Sequence, residues 1–188
     1  MAEVITIRLP VPPTVESEGA KAYLFEGSLR GKIVGIRTDT AWRSWTIISE
    51  VWMDLLEREG ATVDVLVSAD APGVSGAQQV ADSDRTREWA ERIDLGISGL
   101  GNCGSCTAYT VRDGIAIEAA GKPAVIAATS EFEIHAHTVA EHLNHPNLKV
   151  LVFPYPLEGR DESELREIAV EYFPKFLNLI CATKVEAA

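Results

Sequence analysis

The sequence predicts an α/β fold of one domain, in which a five-stranded parallel sheet is covered by helices on both faces. Five short apolar segments alternate with helical patterns after Gly31. Alternation of this kind requires parallel strands joined by right-handed crossovers. The chain has 188 residues, of which 46% are hydrophobic, and this amount suits a single buried core. We therefore expect a three-layer sandwich.

The first half of the alternating pattern contains two strand–helix units. A strand over residues 32–37 leads into a helix over residues 41–59, in which apolar side chains recur every three or four positions. Gly60 ends this helix. The second strand covers residues 62–68, and residues 69–77 form a loop long enough to act as a lid. A shorter helix follows over residues 84–92.

The second half contains three units. Strands are predicted over residues 95–99, 124–129 and 150–154. The helix after the third strand covers residues 105–120 and ends before Gly121. Ser130 with Glu133 forms a capping box that starts the next helix, and Asp161 with Glu164 opens the last one. Pro174 kinks or divides that last helix before Ile180.

Two of these helices carry apolar residues that we expect to face the core. For the helix over residues 105–120 they are Ala108, Val111, Ile115 and Ala119. For the helix that follows the fourth strand they are Phe132, Ala136, Val139 and Leu143.

Five such strands favour the flavodoxin-like or Rossmann-like arrangement with strand order 2-1-3-4-5. The segment before Gly31 lies outside the repeat. We interpret residues 1–30 as an N-terminal arm or edge hairpin, with strand candidates over residues 4–9 and 21–25. Residues 31–188 then form the catalytic domain.

Composition excludes several classes of function. The chain has 17 lysines and arginines against 28 acidic residues, a net charge of -11, which argues against nucleic acid and anionic membranes as partners. We find no signal peptide and no apolar run of about 20 residues. The protein is therefore expected in the cytoplasm, where three cysteines would not form a structural disulfide framework.

A pair of cysteines marks the predicted active site. Cys103 and Cys106 lie where the third strand turns into a helix, and a helix N-terminus favours a thiolate. Cys103 is the best candidate nucleophile, and the flanking Asn102, Gly104, Ser105 and Thr107 are predicted to bind substrate. Alternatives are two small buried side chains, or a zinc site completed by His135 and His137. Cys181 is interpreted as a buried apolar residue.

Three other turns are expected at the same edge of the sheet. The first carries Asp39, Trp42 and Arg43, although Asp39 can also cap a helix and Trp42 can pack in the core. Arg43 opposes the helix dipole, so we expect a carboxylate partner or an anionic substrate to hold it. The turn after the fourth strand carries His135 and His137 as candidates for proton transfer, and the turn after the fifth brings the hydroxyl of Tyr155 and the carboxylate of Glu158 to the same edge. The histidines and Glu158 can also be solvated surface residues.

The stretch Gly-Asn-Cys-Gly-Ser-Cys-Thr over residues 101–107 resembles the signature of the UGSC family of bacterial (seleno)proteins. Residues 41–45, Phe132 with residues 135–137, and residues 154–158 are similar to that family too, so the resemblance covers about residues 32–180. It implies that Cys103 occupies the position that is selenocysteine in some members and that Cys106 is its partner.

These observations predict a thiol-dependent redox enzyme that acts on a small carboxylate-bearing substrate, with Cys103 as nucleophile and Cys106 as resolving thiol. No cofactor is predicted. The expected partners are the substrate, a thiol reductant or reductase, and further subunits in a homodimer or hetero-oligomer. Two alternatives remain: a lyase, isomerase or transferase that uses Cys103 without a redox cycle, and a non-enzymatic subunit of a larger assembly.

Overall fold

A parallel sheet of five strands, ordered β2-β1-β3-β4-β5, forms the centre of the molecule. The computed structural model describes residues 23–39, 41–68 and 76–180, except the side chains of residues 68 and 76–83. The strands are β1 (Ile33–Asp39), β2 (Thr62–Ser68), β3 (Leu95–Gly101), β4 (Ala124–Thr129) and β5 (Lys149–Phe153). The helices are α1 (Arg43–Arg58), α2 (Gly76–Arg92), α3 (Gly104–Ala119), α4 (Glu133–His142) and α5 (Glu162–Ile180). This architecture confirms the predicted three-layer fold and its strand order.

Helices cover both faces of the sheet. Helices α1 and α5 pack on one face, where Trp45, Trp52 and Phe176 are buried. The indole of Trp52 stacks on Phe176 with 5.1 Å between ring centroids, and its Nε1 donates to the carbonyl of Ala169 at 2.7 Å. Helices α2, α3 and α4 pack on the other face around Trp89 and the small residues of β4. The helices that follow β1 and β3 thus lie on opposite faces.

The end of the predicted arm packs on the first of these faces. Phe25 and Leu29 are buried in the layer of α1 and α5, and the N–H of Phe25 donates to the carbonyl of Ile180 at 3.0 Å. Phe25 makes an isolated β-bridge and not a longer strand. The strand candidate over residues 4–9 lies outside the described residues, as does Cys181.

The buried face of α3 differs from the one we predicted. Of the four residues expected to face the core only Val111 is fully buried, whereas Ala119 is exposed. The side against the sheet instead carries small or polar residues, among them Thr107, Thr110 and Gly114. A Cβ on Gly114 would lie 2.5 Å from Cγ2 of Ile126. The helix lies so close to the strand that only small residues fit between them. A search for periodic hydrophobic residues does not find such positions.

The capping box predicted for α4 is wrong. Residues Ser130–Phe132 form a short 3₁₀ helix, and α4 begins only at Glu133 without a side-chain cap. Ala136 is buried as predicted, but Leu143 is exposed. The buried residues of α4 are Ala136 and Ala140, and Phe132 and Val139 are partly buried.

The starts of two other helices and the interior of a third also differ from the prediction. Helix α1 begins at Arg43, and α2 begins already at Gly76, within the span predicted as a loop. Residues 69–75 of that loop lie outside the described residues. Helix α5 continues through Pro174 without being divided. In the part of the chain that the structure describes, no helix has the length and apolarity needed to span a membrane.

We expect stability to depend on pH through Glu118 at the end of α3. Burial raises the pKa of this carboxyl, and its hydrogen bond with Nδ1 of His145, 2.8 Å from Oε2, partly opposes the rise. Above the ordinary glutamate value of about 4.3, the unfolded chain has released a proton that the folded protein still holds. The unfolding free energy therefore falls as the pH rises from that value to the folded-state pKa.

Denaturant unfolding from pH 4 to pH 8 measures this slope. Glu118→Gln is expected to reduce it, because glutamine does not titrate. Glu167→Gln on the exposed side of α5 is the control and should leave the slope unchanged. An equal slope in wild type and Glu118→Gln would contradict the prediction.

Candidate active site

The cysteine turn lies at the carboxyl edge of the sheet, beside the point where strand order reverses between β1 and β3. Such a crevice is where α/β proteins of this topology bind ligands. Cys103 directly precedes α3 and is its N-cap residue, with an extended backbone. Cys103 and Cys106 form a disulfide, with 5.2 Å between their Cα atoms. Both cysteines are half-buried, so the pair is accessible from the edge.

The first turn of α3 surrounds the sulfur of Cys103 with donors. The N–H of Cys106 donates to Cys103 Sγ at 3.1 Å, and Ser105 Oγ lies 3.5 Å from the same sulfur. The hydroxyl of Thr107 donates to the carbonyl of Cys103 at 2.6 Å and fixes the backbone there. This turn contains no acidic residue, whereas the first turn of α5 contains two. The positive end of the α3 dipole is therefore not offset by a carboxylate of its own turn.

Asn102 has a fixed orientation beside this turn. The hydroxyl of Thr129, a fully buried residue at the end of β4, donates to Asn102 Oδ1 at 3.1 Å. Because that contact engages the amide oxygen, the NH₂ group is the part of the side chain that remains to donate to a ligand.

The two histidines have different positions. Nε2 of His135 lies 3.0 Å from the carbonyl of Gly104. Since a carbonyl only accepts, Nε2 carries the proton and Nδ1 is the acceptor in the neutral ring. His135 thus reaches the cysteine turn through its backbone. His137 is exposed and lies about 200° around α4 from His135.

The residues proposed as zinc ligands do not form a metal-binding group in the described ranges. Among residues 23–39, 41–68 and 76–180, no three or more histidines, cysteines or acidic residues gather closely enough to hold a metal ion.

A buried ion-pair network behind the cysteine turn was missed by the sequence analysis. Arg37, on β1, is only 2% exposed. Its Nη1 donates to Asp39 Oδ2 at 3.2 Å and to the carbonyl of Gly99 at 3.1 Å. Its Nε forms an ion pair with Asp113 Oδ2 of α3 at 2.6 Å. One guanidinium therefore connects β1, the end of β3 and the helix that carries Cys106.

Of the glycines near the cysteines, Gly99 is explained by packing and not by a turn. None of Gly99, Gly101 and Gly104 has a positive φ angle. A Cβ on Gly99 would lie 2.4 Å from Cε2 of Trp45, whereas one on Gly104 would meet nothing within 4 Å. Gly99 is required because the buried indole of Trp45 lies against the backbone that leads into the site.

Three residues of the β1–α1 turn contact groups other than the cysteines. Asp39 Oδ1 accepts from the N–H of Ala41 at 2.8 Å, and Trp42 is partly buried against the core of α1 and α5. Arg43 is exposed and donates to Glu162 Oε2 at 3.3 Å, so a carboxylate partner holds it, as one of our two expectations stated.

Two predicted residues of the turn after β5 contact different helices. Glu158 Oε2 accepts from the N–H of Ser44 at 3.0 Å and so caps α1. Tyr155 is exposed, and its ring packs edge-on against Phe132 at 6.5 Å. Tyr155 therefore neighbours the start of α4, whereas Glu158 neighbours α1, which covers the sheet face opposite to α3.

Comparisons with known proteins identify one family. The model of the UGSC family matches residues 6–182, which includes most of the N-terminal arm. No curated protein matches the chain. A similar solved structure is FerB, a flavoenzyme NAD(P)H:(acceptor) oxidoreductase from Paracoccus denitrificans. It is 15% identical, with a TM-score of 0.39, and the match covers 79% of this chain and 97% of FerB.

Proposed function

We propose that this chain, which belongs to the UGSC family, is a thiol-dependent redox enzyme whose Cys103 and Cys106 alternate between dithiol and disulfide. The observation that carries the proposal is the disulfide between two half-buried cysteines at the N-terminus of α3. A structural disulfide contributes most when it closes a long loop, and this one closes a loop of three positions. Its placement at an accessible ligand-binding edge fits a catalytic pair.

The reaction transfers two electrons to the substrate. In the dithiol state the Cys103 thiolate attacks an electrophilic atom X of a substrate X–Y, an S–S or O–O bond for example, and Y leaves with the electron pair and takes up a proton. Cys106 then loses its proton and attacks Cys103 Sγ, so the S–S bond forms and X leaves with an electron pair and the second proton. An external dithiol reduces the disulfide and becomes oxidised itself.

The surroundings of Cys103 support its role as the attacking residue. The N–H of Cys106 and the dipole of α3 stabilise a negative sulfur at this position. Cys106 is the third residue of the helix, and its own N–H is directed at the sulfur of Cys103. We therefore assign the first attack to Cys103 and the resolving step to Cys106.

A carboxylate on the substrate suits the donors around the turn. The NH₂ group of Asn102 and the exposed turn at Gly104 and Ser105 are positioned to donate to it. Thr107 supports this turn through the carbonyl of Cys103. Arg43 is paired with Glu162 and belongs to α1, so we do not assign the carboxylate to it.

His135 is the candidate for proton transfer. Its Nε2 is bound to the carbonyl of Gly104, which leaves Nδ1 to accept a proton from Cys106 or to return one to the leaving group. His135→Gln should therefore slow turnover more than His137→Gln does. The mechanism uses no cofactor.

A redox titration with intact-mass detection tests the proposal. The protein is equilibrated in buffers of reduced and oxidised dithiothreitol, and free thiols are then alkylated with iodoacetamide. We expect Cys103 and Cys106 to become protected together in one two-electron transition. Their independent protection would contradict the proposal. Multiple turnover of a substrate in the absence of any reductant, with both cysteines still alkylated as free thiols afterwards, would support the non-redox nucleophile instead.

A further inference from the structure

We propose that the outer edge of β2 pairs antiparallel with β2 of a second copy of this chain, around a two-fold axis at Val65. The two sheets would then continue into one another. This interface is separate from the cysteine turn, and the inference does not depend on the proposed chemistry.

The backbone of β2 has one unpaired side in the described sheet. Thr62 N–H donates to the carbonyl of Lys32, and β2 runs parallel to β1 in unbroken register from Thr62 to Ser68. In a parallel ladder alternate residues bond to the same neighbour, so Thr62, Asp64 and Leu66 face β1. The N–H and C=O groups of Val63, Val65 and Val67 therefore point away from the sheet. No other strand of the described sheet bonds them, although the Val67 carbonyl accepts a long hydrogen bond from Arg85 Nη2 at 3.4 Å, which the pairing strand would replace.

The side chains of this edge are apolar and exposed. Val65 is 39% and Val67 47% exposed. Natural edge strands are usually protected by charged residues, proline or a bulge. β2 has no proline and no bulge, and its one charged residue, Asp64, is paired with Arg92. The opposite edge strand, β5, has no exposed residue, and Lys149 at its start donates to the carbonyl of Leu179. The two edges thus differ, and only β2 presents apolar surface.

A second copy fits this edge better than an unrelated partner. Val65 is the central residue of β2, so antiparallel pairing about it places Val65 opposite itself and Val63 opposite Val67. Such self-complementarity is the property of a two-fold interface.

Charge also permits two copies to meet here. The chain carries a net charge of -11 and should in general repel itself. Beside β2, however, a groove of about 420 Å³ contains Arg85 and Arg92 together with Glu88. Arg92 is bound to Asp64 at 3.3 Å. The surface along this edge is therefore balanced in charge.

Sedimentation velocity of the full chain tests the proposal. Wild type is expected to sediment as a dimer of 20.4 kDa chains. The double variant Val65→Lys, Val67→Lys should raise the dimer dissociation constant about 100-fold or more, because it places unpaired charges in the interface. Val170→Lys, at an apolar position on α5 that is 57% exposed, is the control and should remain dimeric. Circular dichroism verifies folding of each variant.

Cross-linking locates the axis. In a chain whose three natural cysteines are replaced by serine, Val65→Cys should form a covalent dimer on oxidation, since residues opposite each other in a sheet pair are about 5.5 Å apart between Cα atoms. Val67→Cys alone should not, but it should link to Val63→Cys when the two are mixed. A monomeric wild type, a dimer insensitive to the lysines, or equal self-linking of Val65→Cys and Val67→Cys would each overturn the proposal.

Discussion

Replacing Cys103 by serine is expected to abolish reduction of a small disulfide substrate, with a loss of at least about 1000-fold, as for other nucleophiles removed from enzymes. The hydroxyl is a far weaker nucleophile at neutral pH than a thiolate. Serine is also a good N-cap residue, so it can accept the N–H of Cys106 as the sulfur does now. The variant should therefore remain folded, so its loss of activity can be assigned to the missing thiolate and not to unfolding.

Cys106→Ser separates the two halves of the cycle. It retains the attacking thiol but cannot resolve the first intermediate, so we expect the substrate-derived group to stay bound to Cys103. Intact-mass measurement after one addition of a small disulfide detects that adduct. Wild type should show only the disulfide, and Cys103→Ser neither species. Accumulation of the adduct on Cys106 in the Cys103→Ser variant would reverse the assigned roles.

Replacing Arg37 by methionine is expected to cost about 3–5 kcal/mol of unfolding free energy, the cost of removing one member of a buried ion pair. Methionine nearly fills the space but leaves Asp39 and Asp113 without the guanidinium that lies between them. The carbonyl of Gly99 loses its donor in the same variant. The backbone entering the cysteine turn should therefore loosen, and alkylation of the reduced cysteines should change as well.

Chemical denaturation of Arg37→Met beside Arg92→Met measures the cost. Arg92 pairs with Asp64 on the surface, where both side chains are partly solvated, so its removal should cost no more than about 1 kcal/mol. Adding Asp39→Asn and Asp113→Asn to Arg37→Met should recover part of the loss, because the uncompensated negative charge disappears. An equal loss of unfolding free energy in the two arginine variants would show that the buried network stabilises the protein no more than a surface ion pair does.

The strands and helices could be predicted because local hydrophobic periodicity and glycine mark each of them. Their number and alternation then indicated the strand order of the sheet. The buried face of α3 could not be predicted, since Thr107 and Gly114 are placed there by close approach to the sheet and not by hydrophobicity. Arg37 offered a signal that was not used: a charged residue within an otherwise apolar strand must find buried partners. Its partners Gly99 and Asp113 are distant in sequence, and only the fold brings them together.

The placement of Arg43 and Glu158 has a topological reason. Both lie at the carboxyl edge of the sheet, as predicted, but right-handed crossovers that leave β1 and β3 in opposite directions put α1 and α3 on opposite faces. Arg43 and Glu158 therefore lie at the same edge of the sheet as Cys103 but on its other face. His135 lies in the first turn of α4, which packs on the same face as α3, and it is the predicted histidine that contacts the cysteine turn.

The position of both cysteines on a single strand–helix junction has a consequence for evolution and engineering. In the proposed mechanism the electron-transferring atoms come from one short segment, whereas the turns after β4 and β5 come from other parts of the chain. Loops of this kind tolerate replacement better than the elements they connect. In the proposed enzyme, substitutions in the outer turns can therefore change the substrate range without replacing the cysteine pair, which follows the strand end that Arg37 and Trp45 contact.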